Sequence, residues 1–484
     1  MFPIVLPVVV ALCTLCTVFI LHIKTKVINS RRTPPGPKGL PLVGNLFHVP
    51  LKHPWIEFLR IGETYGDMTY FHGLGNSILV LNNHATMLDL LVKKGNLYCS
   101  RPYFTVACEL MDLSTAFAPF GKRWKLHRKL ARVALSPEAL REYDGTLMDI
   151  SAILARSLAE SPADFTNDVR LAAGRVIMST MYGISVHSAQ DPYIVRAEAA
   201  MNMISKAVLP GEFIVDLIPA LKHLPTWFPF TRFHTVGTVG RKMIQELVAK
   251  PFQYAKDEMA AGSSIPSFTR DALTKNELQA ERDTDETFEH AVKWAAASIM
   301  IMALALHPQI LRTAQTEIDS VVGRQRPPSI EDRHALPYVL AIVKETLRWH
   351  PPLPMDIPRA SMEDDFYNGY FIPKNTTVIP NIWRVTLSRA PDPDYPPENF
   401  SPERFLDNGR THKPLSPLEY CFGFGRRICP GRGLAENSIF LLAASIISSF
   451  DITPAIDGNG IKIPIDVQYS SGLVRQAHNS LWEP

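Results

Sequence analysis

The densest chemistry in this 484-residue sequence lies in ten residues, Phe422-Gly423-Phe424-Gly425-Arg426-Arg427-Ile428-Cys429-Pro430-Gly431. Glycine lacks a Cβ, so this backbone can lie close against something flat and bulky. Pro430 suits the first turn of a helix, and Leu434 to Phe450 continues as an apolar helical run. Cys429 is therefore expected at a helix N-terminus. Unpaired N–H groups and the positive dipole end there favour a thiolate over a thiol. A thiolate in that setting is a strong donor to iron. Taken alone, the stretch is a Gly-rich loop before a helix, and a structural cysteine is the safer reading.

Other residues fall at spacings that chemistry can use. Glu345 and Arg348, in Lys344-Glu345-Thr346-Leu347-Arg348, are three apart and share a helix face. By themselves they read as an ordinary surface ion pair. Trp124 and Arg128 are four apart, and Arg359 follows Ile357-Pro358. Besides Cys429 there are five cysteines: Cys13 and Cys16 in an apolar N-terminus, then Cys99, Cys108 and Cys421. Outside that N-terminus, Cys99, Cys108, Cys421 and Cys429 fit no secreted disulfide framework and no CxxC zinc spacing, so reduced buried thiols are expected for at least three of them. The formal net charge of +3 provides no global field for nucleic acid.

The elements that position these residues are mostly helical. Helical patterns cover 84–94, 136–160, 167–183, 190–206, 233–261, 284–306, 308–322 and 335–349. Met68 to Phe71 and Ile78 to Leu81 flank a Gly-Leu-Gly-Asn turn, which predicts a hairpin; Phe366 to Pro380 reads as a second. The fold class is mainly α with small β-sheets. No repeat or long linker interrupts residues 50–484, so one large domain is expected there. Residues 2–23 carry no acid, lysine or arginine. A helix that long can cross a hydrocarbon core of about 30 Å at roughly 1.5 Å per residue. Residues 1–23 are thus expected to be a single transmembrane anchor, and Lys24, Lys26, Arg31 and Arg32 place the rest of the chain in the cytosol. Residues 24–49 are a basic, Pro-rich linker, read as a stiff spacer. Leu209 to Phe230 is apolar and proline-broken, and is either a buried connection or a lip that dips into the membrane.

The cysteine stretch resembles the ligand loop of the cytochrome P-450 family, F-x-x-G-x-R-x-C-x-G, matched at Phe422, Gly425, Arg427, Cys429 and Gly431. The resemblance implies a P-450-like fold and haem b whose iron takes Cys429 as axial thiolate. It also implies that Phe422 packs near the sulfur and that Arg427 pairs with a haem propionate. Glu345 and Arg348 resemble the family's E-x-x-R helix. Pro402-Glu403-Arg404-Phe405 resembles the segment whose arginine joins that pair. Trp124 and Arg128 match W-x-x-x-R, and with Arg359 they resemble the family's propionate contacts. Arg426, Arg432, Arg123, Lys125 and Lys129 suggest a basic face where an acidic flavoprotein, NADPH-cytochrome P-450 reductase, would dock. The whole resembles a membrane-bound, fungal-type member in the endoplasmic reticulum. Its implied reaction is oxidation of a lipophilic small molecule by O2 with NADPH-derived electrons, in terpenoid-like secondary metabolism or xenobiotic oxidation. Sequons at Asn375 and Asn399 would face the cytosol and stay unmodified.

One departure from the family stands out. Its long helix over the haem usually carries [AG]-G-x-[DE]-T, an acid and a hydroxyl that manage protons. Here Ala295 to Leu306 holds no acid and no glycine. About four turns, on the order of 15 residues, are missing after Ser298. Either the gene model has lost a segment or the chain binds haem with impaired oxygenase activity. A reductase-independent peroxide rearrangement is a third reading.

Overall fold

The computed structural model describes residues 31–274 and 300–464, with short breaks at 42, 111–115, 209–211, 229–230, 301–302, 388–393, 408, 410–413 and 455. It also describes 467–469, 474 and 477–479. The expected anchor at 1–23, the gap after Ser298 and most of the helix expected over 284–306 lie outside these residues. Among the described residues no helix is long and apolar enough to cross a membrane.

Helices dominate. In chain order they are α1 (Pro54–Tyr65), α2 (His84–Leu88), α3 (Lys122–Ala134), α4 (Pro137–Glu160), α5 (Phe165–Tyr182), α6 (Pro192–Ala207) and α7 (Ile214–Leu217). Then come α8 (Arg232–Ala261), α9 (Phe268–Thr274), α10 (Pro308–Val321), α11 (Pro337–Trp349), α12 (Ile382–Leu387) and α13 (Arg432–Ser449). Local signals explain several ends. Ser136 accepts a hydrogen bond from the Ala139 amide and Pro137 follows, so α4 begins there. Gly183 and Gly262, both left-handed, close α5 and α8. The expected helix over 84–94 continues past α2 as a wider π-type turn, Asp89–Lys93. Helices α1, α3 and α9 were not among the expected ones: α1 and α3 each bury an apolar stripe, Trp55 and Phe58 on α1 and Trp124 and Leu130 on α3, and α9 is seven residues long.

The core is built on α13, which is apolar on all sides and packs against α4, α10 and α11. Met300, Ala303 and Leu304 are buried in the same cluster. The main sheet orders its strands β1 (Met68–Gly73), β2 (Asn76–Leu81), β6 (Thr377–Pro380) and β3 (Arg359–Ala360). β1 and β2 form the expected hairpin, turning at Leu74 and Gly75 with φ of 49° and 78°. The second hairpin is shorter than expected. Only β4 (Asp365–Tyr367) and β5 (Tyr370–Ile372) pair, around Asn368-Gly369. After the left-handed Asn375 the chain turns away, and β6 runs parallel to β2 in the main sheet. The strands β7 (Val467–Tyr469) and β8 (Ala477–Asn479) pair near the end.

From Arg31 onward the Pro-rich segment does not stand off as a spacer; it straps the body. The Tyr70 amide donates to the Pro35 carbonyl (2.8 Å) and the Phe371 amide to Arg32 (2.7 Å). Asn45, buried, donates to the Pro37 and Tyr70 carbonyls. A Cβ on Gly36 would fall 2.0 Å from the Tyr70 oxygen, so only glycine allows this approach. Proline has no N–H to pair, which makes such a strap inexpensive on its outer side.

Candidate functional site

The cysteine loop joins a short turn at Pro417–Glu419 to α13. Its backbone is folded tightly: the Cys429 amide donates to the Phe422 carbonyl at 2.8 Å, and Gly425–Arg427 makes one 3₁₀ turn. Gly423 and Gly425 have φ of 77° and 52°, where an L side chain is strained. A Cβ on Gly425 would also meet the Leu91 carbonyl at 2.4 Å. Gly431 caps α13, which begins at Arg432. The expectation that Pro430 opens the helix is therefore corrected: Cys429 precedes the cap by two residues and does not sit in the first turn. A tight loop ending on Gly431 exhausts the residues that would have formed that turn.

Two arginines from other segments donate to this loop, a third belongs to the loop and ties it outward, and a fourth braces the segment before β3. Arg359, on β3 and 1% exposed, donates from Nη1 to the Phe424 carbonyl at 2.9 Å. Arg128, on α3, donates to Ile428 at 2.6 Å. Arg427 donates outward to Cys99 (2.6 Å) and Ala118 (2.8 Å), and its guanidinium lies 4.5 Å over the Trp124 ring. Buried Arg101 donates to Ala116, Ile357 and Pro358, just before Arg359. Arginine suits this work because its rigid fork reaches several acceptors at once. Burial lowers the Arg359 guanidinium from its ordinary value, and nearby Asp356 offsets part of that.

Beneath the loop, Glu345 is fully buried on α11. It accepts from Arg348 (2.7 and 2.9 Å), the Ser401 amide (2.7 Å) and Arg404 (3.0 Å). Arg348 and Arg404 reach on to the carbonyls of Pro397, Asn399, Tyr395 and Pro396. The pair that could have been a surface ion pair is thus the buried centre of a network, with Arg404 as its third member.

The cysteines differ. Cys421, eight residues before Cys429, faces the Leu347 carbonyl, and burial pushes its thiol far above the ordinary range. Burial also raises Cys99, and pushes Cys108 up to about 11. These three are thiols. Among the described residues no cluster of three His, Cys, Asp or Glu side chains could hold a bare metal ion. A single thiolate suits an iron whose other ligands come with its macrocycle.

Haem, the group that the resemblance implies, fits the residues present. Arg359 Nε is buried and has no hydrogen-bond partner among the described residues, and a propionate oxygen is the acceptor such a donor suits. The glycines at 423 and 425 present bare backbone. Phe422 and Trp124 are buried beside the loop. A separate apolar cluster includes Phe104, Val106, Phe117, Ile204, Leu353 and Ile357.

Sequence reasoning missed Arg101 and Asp356. Arg101 was signalled only by an Arg-Pro dipeptide; Asp356, inside a proline-rich run, had no signal. Of the expected basic face, Arg123, Lys125, Lys129 and Arg426 are exposed, while Arg432 is half-buried and bonded to Glu436 at 2.6 Å. The segment expected as a lip is divided. Val215 is buried and Phe213 packs against the apolar cluster, while Ile214, Trp227 and Phe228 are exposed.

Comparison with known proteins gives the same direction. The family model described as Cytochrome P450 matches residues 34–477. The chain is 36% identical over 90% of its length to cytochrome P450 monooxygenase COX2 of Coprinopsis cinerea, covering 86% of that protein. It is 34% identical to cytochrome P450 monooxygenase claR of Ampulloclitocybe clavipes, over 93% of this chain and 85% of the relative. It is 33% identical to cytochrome P450 monooxygenase 105 of Postia placenta, over 96% and 91% respectively.

Proposed function

Because the chain belongs to the cytochrome P450 family, an oxidoreductase of the monooxygenase type, we propose that it oxidises a lipophilic small molecule at a haem held by Cys429. The observation that carries this reading is that Arg359 and Arg128 both donate to the loop that carries Cys429, while the loop's own Arg427 lies over Trp124. Haem held there would supply the oxygen activation, with Cys429 offering it an electron-rich thiolate. The protein's own residues do the rest. Arg359, Arg427, Arg128 and Trp124 hold the propionate side, and Phe422, Gly425 and Gly431 shape the loop around the sulfur. Glu345, Arg348 and Arg404 clamp α11 to the segment leading into the loop. The cluster around Phe104 and Ile357 excludes water and favours an apolar substrate.

Electrons come from NADPH through the family's flavoprotein reductase. Exposed Arg123, Lys125, Lys129 and Arg426 support an acidic partner on the cysteine side. The apolar run at 1–23 supports a single-pass anchor in the endoplasmic reticulum with the body in the cytosol. Exposed Trp227 and Phe228 support contact with lipid beside it. Terpenoid-like secondary metabolism or xenobiotic oxidation is the setting such a substrate fits.

The missing turns after Ser298 favour a second reading, haem binding with impaired turnover. Ala295 to Leu306 offers no acid to deliver protons. The deciding experiment has two arms. Cys429→Ala should lose the thiolate-type Soret band of the reduced carbon-monoxide complex, and Cys421→Ala should keep it; the reverse sinks the assignment. The chain as given is then compared with one carrying a Gly-Ala-Asp-Thr-Thr segment after Ser298. Equal, well-coupled NADPH turnover supports the full oxygenase, while turnover only in the restored chain supports impairment. Peroxide-driven turnover without NADPH would point to the rearrangement chemistry instead.

A further inference from the structure

Asp356 is a buried carboxylate for which the family-level reading has no use. It lies in the proline-rich run between α11 and β3, 8% exposed, with φ of +48°. A left-handed backbone is unfavourable for a non-glycine residue, least so for Asp and Asn. Its surroundings must therefore hold it there. Oδ1 accepts from the Ile357 amide at 2.7 Å, and Oδ2 faces Arg359 Nη2 at 3.5 Å. The cysteine loop closes over this pair. A Cβ on Gly423 would lie 3.4 Å from Asp356 Oδ2 and 3.6 Å from Arg359 Nη2. Arg359 is thus divided three ways: Nη2 to Asp356, Nη1 to the Phe424 carbonyl, and Nε without a partner among the described residues.

We propose that Asp356 is a positioning residue that shares the Arg359 guanidinium with a haem propionate and thereby lowers the reduction potential of the bound iron. The inference rests on the haem-thiolate reading above. Its physical basis is charge in a poorly screened interior. A carboxylate next to Arg359 cancels part of the positive field that would otherwise neutralise the propionate. The negative charge that remains beside the iron favours the oxidised, more positive state. Removing the Asp356 charge acts twice in one direction, since it deletes an anion and frees Arg359 for the propionate. A purely structural Asp356 would instead serve as a local turn, through its bond to the Ile357 amide. Asparagine separates the two roles, because it keeps that acceptor and tolerates the left-handed backbone while losing the charge. Glycine removes the charge and the backbone strain together.

The test uses the full chain loaded with haem, as wild type, Asp356→Asn and Asp356→Gly. The reduced carbon-monoxide spectrum is recorded first, then the midpoint potential of the substrate-free protein by spectroelectrochemical titration. The expected result is a shift to more positive potential in each variant that keeps the thiolate band. An unchanged or more negative potential in such a variant overturns the proposal. So does loss of haem from both variants while they stay folded, which would make Asp356 a scaffold of the cradle. Absence of the thiolate band from the wild type would instead overturn the haem-thiolate reading, and this inference with it.

Discussion

Replacing Glu345 by alanine removes one carboxylate and leaves two guanidiniums facing each other in the core. The wild-type carboxylate is wholly buried and takes four hydrogen bonds, two from Arg348, one from Arg404 and one from the Ser401 amide. After truncation the arginines keep their backbone acceptors at 395–399, so neither swings out to solvent easily. Breaking a buried pair by removing one partner costs about 3–5 kcal/mol, largely because the surviving charge is uncompensated. Domains have only about 5–15 kcal/mol in total, so the loss is about a fifth of the stability or more. It falls where α11 meets Pro402–Phe405 and the turn before the cysteine loop. Haem retention should therefore suffer first. The assay is denaturant unfolding of the haem-loaded protein, followed in parallel by the Soret band and by far-ultraviolet circular dichroism. Midpoints are compared, since a cofactor-bound protein of this size need not unfold in two states. Glu345→Ala should lower both midpoints, the Soret midpoint more. A variant with wild-type haem content and wild-type midpoints would refute the argument.

Three further outcomes come from particular residues. Gly425→Ala forces a Cβ to 2.4 Å from the Leu91 carbonyl at a left-handed position and should sharply lower the haem-to-protein ratio. Gly433→Ala meets only the flexible Leu140 Cδ1 and should be tolerated; equal haem content in the two would count against the cradle geometry. Burial pushes the Asp216 carboxyl up to about 6, against the amides of Val106 and Thr105 that partly offset it. The folded chain therefore holds a proton that the unfolded chain has lost, and stability contributed here declines as pH rises from about 4 through 6. Asp216→Asn should raise stability at pH 7 by about 1–2 kcal/mol, with the difference gone near pH 4; a wild-type profile in the variant's unfolding midpoints would refute it. Asp332 has the opposite sign: its bonds to Arg326, with help from Ser329, hold its carboxyl at about 2. Its contribution is complete above the ordinary carboxylate value and is lost as pH falls toward 2. Asp332→Asn should cost about 1–2 kcal/mol at pH 7, reduced because Arg326 is half exposed. Unfolding midpoints of variant and wild type should converge at the acid end, and a gap that persists there would contradict the assignment.

Much of this protein is written in short stretches of sequence. Helices α4, α5, α6, α8, α10 and α11 follow from apolar spacing, caps and terminal glycines, because their hydrogen bonds close within four residues. The ten residues ending at Gly431 marked a Gly-rich, Arg-rich loop before an apolar helix, which is a local pattern, and the role given to Cys429 in it came from the family resemblance. Longer-range arrangements were not legible. That Thr377–Pro380 leaves its hairpin for a parallel place beside β2 depends on partners about 300 residues away. The linker expected at 24–49, with its stiff spacer from Thr33 to Pro41, reads as standing off the body until Tyr70, His72 and Phe371 supply partners to Pro35, Asn45 and Arg32. Arg101, Arg128, Arg359 and Arg427 come from four separate segments. No local rule says that Arg359 and Arg128 reach the cysteine loop, that Arg101 and Arg427 tie its surroundings together, or that Asp356 lies against Arg359. Buried charges must find partners wherever the folded chain brings them. Local sequence therefore determined most of the elements, while tertiary packing alone decided which charges surround the cysteine loop.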